Sequence, residues 1–325
     1  MLVNFAALVV GLIVLVVAAD KFIVGTVAIA RKFGVSPLLI GLTIVGLGTS
    51  APEILVSAIA SMQGNAGLAV GNALGSNIAN IGLILGVTAL ISPLAFNSGL
   101  LKRELPILMA VSFICYFMVF DGLGVVDGVL MLLMLATFLV WLIRSAKKDS
   151  NKATLDDPLE QELIAEMPEH VSEKKAWIYF VLGLVGLLAS SRLLVWAAVN
   201  IAESFGVSDL VIGLTIVALG TSLPELAASI SSVLKNEDDL AVGNVIGSNM
   251  YNLLAVYSLP GLIAPGGVDE SVISRDFPVM LALTGVLFVL GYGLTKSGRI
   301  NRFEGAALLL AYSGYQWVIY QSAMV

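Results

Sequence analysis

Long apolar stretches separated by short polar breaks are the main pattern of this chain. Ten of these stretches are long enough to cross a bilayer as helices, because about 20 apolar residues span its hydrocarbon core. The pattern therefore predicts an all-α polytopic membrane protein with ten transmembrane helices. The predicted spans are 2–30, 37–62, 66–92, 104–120, 124–144, 176–202, 209–234, 239–264, 277–294 and 304–322.

Two passages of the chain recur at a constant distance of 172 residues. Residues 36–53 read SPLLIGLTIVGLGTSAPE and residues 208–225 read SDLVIGLTIVALGTSLPE, with fourteen of eighteen positions identical. A second block, AVGNALGSNIAN at 69–80, recurs at the same distance as AVGNVIGSNMYN at 241–252. The repeated motifs therefore cover 36–80 and 208–252.

The repeat divides the chain into two halves of five predicted spans each. An odd number of spans makes the second copy enter the membrane from the opposite side, so the repeat is predicted to be inverted. The charged segment between the halves is too short for an independent domain. The predicted organisation is a first five-helix repeat over 1–144, a charged loop over 145–175 and a second, inverted five-helix repeat over 176–325.

The basic residues indicate how the chain is oriented in the membrane. With the N-terminus outside, fourteen lysines and arginines fall in the inner loops, whereas the outer loops contain only Arg275. This asymmetry follows the positive-inside rule. We therefore expect a multi-pass protein of a bacterial-type plasma (inner) membrane. Both termini would lie on the outer, periplasmic side and the 145–175 loop in the cytoplasm.

The composition excludes several classes of protein. Of the 325 residues, 58% are hydrophobic and 12% charged, which no soluble domain of this size matches. The single cysteine, Cys115, excludes an internal disulfide, and the single histidine, His170, lies in the polar loop. The lipid bilayer is the expected partner, and we expect neither a nucleic-acid partner nor a bound cofactor. The oligomeric state stays open.

Each half contains one glutamate inside a long apolar stretch, Glu53 and Glu225. A carboxylate inside a membrane costs roughly 3 kcal/mol or more to insert, so it indicates function by default. Pro52 and Pro224 precede these glutamates and should kink their helices, because proline lacks an N–H and clashes with the carbonyl four residues earlier. The kinks are predicted to free backbone carbonyls at Gly46–Thr49 and Ala218–Thr221, where carbonyl oxygens suit hard cations.

Further oxygen-bearing side chains lie at helical spacing from these glutamates or in the second block. Thr49 and Thr221 stand four residues before the glutamates and share their helix faces, with Ser50 and Ser222 beside them. The second block supplies a facing wall. Asn72 and Asn244 are weaker candidates by geometry. The candidate ligands are the Glu53, Glu225, Thr49, Ser50, Thr221, Ser222, Ser76, Asn80, Ser248 and Asn252 side chains, with the Gly46 and Ala218 carbonyls.

Two carboxylates match the charge of one Ca²⁺ or of two Na⁺ ions. Both cations use the same oxygens, so they compete for them, and close carboxylates also make H⁺ a competitor. A cation channel is an alternative of a different class, since inverted repeats also occur in channels. An intramembrane enzyme would need a nucleophile–base pair or a metal centre, and the chain has no HExxH motif. A structural or adaptor protein would not need two buried glutamates.

At these residues the chain resembles the calcium/cation antiporter superfamily, of the sodium/calcium exchanger type and in its compact prokaryotic form. GLTIVGLGTSAPE and GLTIVALGTSLPE are similar to its two alpha repeats, and GNALGSNIAN and GNVIGSNMYN to the helices that follow. The resemblance covers nearly the whole chain. It implies that Glu53 and Glu225 are central carboxylates shared by Ca²⁺ and Na⁺, and that the other candidate ligands line adjacent sites. It also implies that spans 1 and 6 slide to alternate access.

One departure from the family pattern concerns the counter-ion. Some members, including potassium-dependent ones, have aspartate at the position of Asn80 or Asn252, whereas this chain has asparagine at both. This argues against potassium co-transport and leaves Na⁺ and H⁺ as counter-ions. The predicted function is a secondary antiporter that exchanges Ca²⁺ for Na⁺ by alternating access, with a Ca²⁺/H⁺ antiporter as the nearest alternative.

Overall fold

The computed structural model describes residues 2–32, 41–64, 66–96, 101–150, 171–204, 218–292 and 298–324. These residues are almost entirely helical, and two short strands, β1 (Leu94–Ala95) and β2 (Arg299–Ile300), pair antiparallel. The helices are α1 (Leu2–Lys32), α2 (Gly46–Thr49), α3 (Ala51–Met62), α4 (Ala66–Ala79), α5 (Gly86–Ile91), α6 (Leu101–Met118), α7 (Val125–Ser150), α8 (Glu173–Ser204), α9 (Ala218–Thr221), α10 (Leu223–Val233), α11 (Asp238–Tyr251), α12 (Ser258–Ile263), α13 (Phe277–Tyr292) and α14 (Arg302–Met324).

The described part of each of the ten predicted spans consists mainly of one or more of these helices, so the chain is an all-α polytopic membrane protein. Within the described ranges, five helices are individually long and apolar enough to cross a membrane. A bent pair, Gly41–Thr49 with Ala51–Met62, adds a sixth. The five are Val3–Ile29, Ala66–Ile91, Val125–Ser145, Glu173–Leu194 and Val272–Tyr292.

Helical structure extends from both sides into the charged segment between the two halves. Helix α7 continues through residues 145–150, and α8 begins at Glu173 rather than at residue 176. A helix continues in water once its polar residues can be solvated, which the apolar pattern alone does not show. Residues 151–170, including His170, lie outside the described residues, as do residues 36–40 and 208–217 of the two repeated motifs.

Helices α1 and α8 pack against each other backbone to backbone. A Cβ atom added to Gly25 would lie 2.4 Å from the Phe180 nitrogen, and one added to Gly183 would lie 2.5 Å from the Phe22 nitrogen. Small residues permit this close approach in membrane helices, where packing rather than water drives association. Together α1 and α8 contribute most of a hydrophobic cluster that is separate from the main core. Their outer faces expose large apolar side chains such as Val16, 66% exposed, as lipid contact requires.

The main hydrophobic core surrounds α4 and α11, the helices of the second repeated block. Every residue of α11 from Leu240 to Tyr251 is buried. In α11 the Gly247 position lies against the backbone of Leu42, where an added Cβ would be 2.7 Å from the Leu42 carbonyl oxygen. This contact brings the second block of one half against the first motif of the other. The two motif pairs therefore meet at the centre of the molecule.

The sequence repeat is also visible in the contacts. Leu94 pairs with Ile300, and the equivalent positions in the two halves, Gly266 and Leu123, form an antiparallel bridge. One helix N-terminus in each half is capped in the same way. Asp127 accepts from the Gly124 N–H at 2.8 Å, and Glu304 accepts from the Asn301 N–H at 2.7 Å. The halves are therefore structural equivalents that pair crosswise, and their opposite orientation in the membrane stays a prediction of the odd span count.

In the described residues, four π-helical turns interrupt the spans, and the sequence pattern did not predict them. In a π-helical turn the backbone hydrogen bonds reach one residue further than in an α-helix, and such turns often lie at functional sites. Two begin at equivalent candidate ligands, Asn80 and Asn252, and they end α4 and α11. The four turns are Gly41–Val45, Asn80–Leu85, Asn252–Val256 and Val272–Asp276.

Candidate cation site

The helix that carries Glu53 is broken beside it, as Pro52 predicted. Ser50 separates α2 from α3 with φ −80° and ψ 4°, outside the helical range, and the axis bends by 49°. Pro52 takes the second position of α3, where a missing N–H costs nothing. Ser222 has nearly the same backbone angles, φ −87° and ψ 5°, at the start of α10. The two glutamates therefore begin equivalent helices, each following a break.

The two carboxylates are buried and bonded crosswise by the two breaks. Glu53 and Glu225 are each 1% exposed. The Ser50 hydroxyl donates to Glu225 Oε1 at 3.1 Å, and the Ser222 hydroxyl donates to Glu53 Oε1 at 3.3 Å. Each half thus donates a hydrogen bond to the carboxylate of the other half. Within the described part of the chain, Oε2 of both glutamates is buried without a hydrogen-bond partner.

The second block brings one hydroxyl to these carboxylates and carries further buried neutral oxygens. The Ser248 hydroxyl lies 3.5 Å from Glu225 Oε1. Among the described residues, Ser76 Oγ and the side-chain oxygens of Asn80 and Asn252 are buried and have no hydrogen-bond partner. Buried polar atoms are nearly always satisfied, so orphaned acceptors on the block that packs against the glutamate helices need an explanation. Oxygen ligands for a hard cation supply one.

The threonine and backbone ligands are only partly as predicted. The Thr49 hydroxyl donates within its own helix to the Val45 carbonyl at 3.0 Å and lies 3.2 Å from Asn244 Oδ1. Thr221 is buried at the end of α9, which Ala218 begins. The prediction of a freed Gly46 carbonyl is wrong, because that oxygen accepts the Ser50 N–H at 3.0 Å. The Thr49 hydroxyl also lies 3.4 Å from this oxygen. Since that hydroxyl has only one hydrogen and is closer to the Val45 carbonyl, Gly46 stays in the candidate set.

Two asparagines that spacing ranked low hold the glutamate helices in place. Asn72 Nδ2 donates to the Glu53 carbonyl at 3.1 Å and to the Ser57 hydroxyl at 2.9 Å. In the other half, Asn244 Nδ2 donates to the Glu225 carbonyl at 3.3 Å and to the Ser229 hydroxyl at 3.2 Å. The repeat alone could have indicated both serines, since they are also 172 residues apart.

Asn249, which the sequence analysis did not identify, contacts the candidate ligand Asn80. Asn80 Nδ2 donates to Asn249 Oδ1 at 3.0 Å, so the amide nitrogen is occupied and the amide oxygen of Asn80 is left free. Asn77 Nδ2 lies 3.4 Å from the Asn249 carbonyl. Helical spacing does not predict these contacts, because they join residues of different halves.

The site therefore offers two carboxylates and several neutral oxygens in a buried position. Among the described residues, no group of three or more histidine, cysteine, aspartate or glutamate side chains is placed to hold a metal ion. A cation at this position would rely on hydroxyl, amide and carbonyl oxygens for most of its ligands. Such a set suits Ca²⁺ and Na⁺ better than the soft metals that prefer nitrogen and sulfur.

Comparison with known proteins agrees with this chemistry. The sequence profile of a family described as "Sodium/calcium exchanger protein" matches residues 3–144 and 175–321. The putative antiporter CaxA of Alkalimonas amylolytica is 50% identical over 323 residues, covering 99% of this chain and 100% of that protein. The inner membrane protein YrbG of Escherichia coli (strain K12) is 42% identical over 291 residues, 89% of each chain. A structure of the sodium-calcium exchanger NCX_Mj matches with a TM-score of 0.81 at 32% identity, covering 96% of this chain and 97% of that one.

Proposed function

The chain belongs to the sodium/calcium exchanger protein family, and from that premise we propose that it exchanges Ca²⁺ for Na⁺ across the plasma membrane as a secondary active antiporter. Both ions bind in turn at one site between Glu53 and Glu225, which opens to one side of the membrane at a time. Family membership makes the chain a cation transporter of the membrane rather than an enzyme. A relative named as an inner membrane protein supports the plasma membrane as its location.

The observation that carries this proposal is the crosswise bonding of the two carboxylates. Ser50 reaches Glu225 and Ser222 reaches Glu53, so both glutamates belong to one cluster of oxygens drawn from both halves. A site built from both halves changes when one half moves against the other. That is the property that alternating access requires.

The charge of the site gives a physical reason for coupled exchange. Two buried carboxylates without cations are costly, because removing charges from water is repaid only by close partners. One Ca²⁺ or two Na⁺ ions would cancel the two negative charges. Closing the site over bound ions is therefore favourable, while closing the empty, ionised site is not. Transport in one direction then depends on a return step with the other ion.

Protons are the alternative counter-ion at the same site. Protonation of both glutamates would also cancel the charge, so a Ca²⁺/H⁺ antiporter would use the same fold and the same residues. A channel is disfavoured, because the carboxylates are buried at 1% exposure rather than lining an open path.

Transport by the purified protein in proteoliposomes tests the proposal and separates the two counter-ions. Vesicles loaded with Na⁺ are diluted into Na⁺-free buffer, and uptake of ⁴⁵Ca²⁺ is measured. A parallel set has only an outward proton gradient. Uptake that follows the Na⁺ gradient supports Na⁺/Ca²⁺ exchange, whereas uptake driven only by the proton gradient replaces the counter-ion. Uptake that needs neither gradient and does not saturate would indicate a channel.

Two matched variants make the assay specific for the site. Glu53→Gln retains the size of the side chain and removes one charge, and it should abolish uptake. Glu270→Gln makes the same change at an exposed position between the predicted spans and should leave uptake unchanged. Full activity in Glu53→Gln would overturn the proposed site while leaving the family assignment intact.

The orientation of the chain is also proposed rather than established. The excess of lysine and arginine in alternate loops supports an outer location for both termini and a cytoplasmic location for residues 145–175. In this orientation the paired strands β1 and β2 lie on the cytoplasmic side.

A further inference from the structure

A third buried carboxylate lies outside the candidate cation site. Glu104, in the first turn of α6, is 1% exposed. In the described part of the structure, neither of its carboxylate oxygens has a hydrogen-bond partner. Buried carboxylates are normally paired or bonded, so this one requires an explanation.

The repeat provides an internal comparison for Glu104. Arg103-Glu104 and Arg275-Asp276 are equivalent, at the offset of 172 residues. Asp276 is fully bonded: Arg275 donates to it at 2.6 and 3.1 Å, and the Tyr315 hydroxyl donates to it at 2.9 Å. The same motif therefore contains a paired carboxylate in the second half and an unpaired one in the first.

The sequence explains why Glu104 has no such partners. The position equivalent to Tyr315, at the offset of 177 residues shared by the last spans, is Phe138, which has no hydroxyl. Arg103, the equivalent of Arg275, is exposed and makes no hydrogen bond to Glu104. The hydroxyl that satisfies Asp276 is thus missing in the first half, and the arginine does not hydrogen-bond the carboxyl group, which stays buried.

The charged groups near Glu104 do not supply the hydrogen bonds that Asp276 receives from Arg275 and Tyr315. Helix α6 packs against α13, α11 and the π-helical turn Asn252–Val256. In α13, Tyr292 follows Gly291, whose added Cβ would lie 2.4 Å from Leu105 beside Glu104. Helix α11 has Asp238 and Asp239 in its first turn, and the π-helical turn has no titratable residue. The exposed Arg103 is the charged neighbour that favours a negative charge on Glu104. None of these groups hydrogen-bonds the Glu104 carboxyl oxygens.

Glu104 is also distant from the candidate cation site. Helix α6 approaches that site through Cys115, whose sulfur lies 4.0 Å from the Leu253 carbonyl oxygen. Glu104 is eleven residues earlier on the same helix, which is about 16 Å along the axis. None of the described hydrogen bonds joins Glu104 to Glu53 or Glu225, so Glu104 is not part of their cluster of oxygens.

We propose that Glu104 is a proton-binding site, which holds one proton in this conformation and is separate from the cation site. The proton comes from the aqueous phase at the adjacent end of α6, and no bond other than O–H forms or breaks. An ionised carboxylate at this position would be buried without a donor or counter-charge in contact, which is far less stable than the neutral acid. A conformation that admits water to Glu104 would release the proton, so the balance between conformations would depend on pH.

Infrared spectroscopy of the full-length protein in lipid tests this inference directly. A protonated carboxyl group has a C=O stretch that an ionised carboxylate lacks. The wild-type spectrum minus that of Glu104→Gln should show one such band near neutral pH, and the band should shift in D₂O. The matched control is Asp276→Asn, which replaces a carboxylate paired with Arg275 and should remove no such band.

The outcomes are distinct from those of the transport assay. A band that disappears in Glu104→Gln but not in Asp276→Asn supports the proton site, whichever ion proves to be the counter-ion. A difference spectrum without the band shows that Glu104 is ionised and overturns the inference. Glu104→Leu serves as a second variant, because a neutral residue should be accepted where the native group is neutral. If both variants fail to fold while Asp276→Asn folds, Glu104 needs its charge and the proposal is wrong.

Discussion

The close contact between α1 and α8 makes a quantitative prediction about Gly25. A Cβ atom at this position would lie 2.4 Å from the Phe180 nitrogen, and ordinary contact begins at 3.4 Å. Gly25→Ala therefore requires the two helices to separate by about 1 Å, since a backbone atom cannot turn aside. Overpacking of this kind costs about 1–3 kcal/mol.

Alanine also favours a helix over glycine by up to about 1 kcal/mol, so a control must carry the same gain. Gly314→Ala in α14 provides it, because an added Cβ there meets no atom within 4 Å. The gain in helix propensity is the same in both variants. The difference between their free energies of unfolding therefore measures the clash alone. Gly25→Ala should therefore be less stable than Gly314→Ala by about 1–3 kcal/mol.

The measurement is the free energy of unfolding in mixed micelles, followed by tryptophan fluorescence as denaturing detergent is added. Gly183→Ala should behave like Gly25→Ala, since its Cβ would lie 2.5 Å from the Phe22 nitrogen. Equal stability of Gly25→Ala and Gly314→Ala would show that α1 and α8 do not pack backbone to backbone.

The remaining predictions concern the site and the orientation of the chain. Asn72→Leu and Asn244→Leu each remove two hydrogen bonds to a glutamate helix. Each should lower the free energy of unfolding by about 1–3 kcal/mol in the same assay, and unchanged stability would contradict the supporting role. Ser50→Ala and Ser222→Ala each remove one hydroxyl from the crosswise pair. Each should raise the Ca²⁺ concentration for half-maximal uptake about tenfold, or about 1.4 kcal/mol, and a strongly unequal pair would refute equivalent roles. Ser322→Cys, at an exposed position near the C-terminus, should react with a membrane-impermeant maleimide from outside intact cells, whereas labelling only after permeabilisation would reverse the proposed orientation.

Much of the fold follows from the sequence because the two copies of the repeat are nearly identical around Glu53 and Glu225. Glu53 and Glu225 stand out as charges in apolar stretches, and the structure buries both beside equivalent breaks. The kink at Pro52 is a local steric effect, so one residue predicts it. These features depend on short-range chemistry that a single stretch of sequence contains.

Prediction from the sequence missed, or gave wrongly, the features that depend on tertiary contacts. The π-helical turns that begin at Asn80 and Asn252 have no characteristic amino-acid pattern by which the sequence analysis could predict them. The Gly46 carbonyl stays bonded because the break lies at Ser50, one turn after Gly46, while the bond that Pro52 lacks would end on Gly48. No spacing rule joins partners from different halves.

The crosswise bonds between the halves have a consequence for the direction of transport. Because the Ser50 hydroxyl donates to Glu225 and the Ser222 hydroxyl donates to Glu53, these two hydrogen bonds are the same whichever half they are viewed from. Bonds that are equivalent in this way favour neither direction of transport. The ion gradients alone then decide which way net flux runs. Any intrinsic bias must come from positions where the two halves have become different. The unpaired Glu104 and the paired Asp276 are such a position.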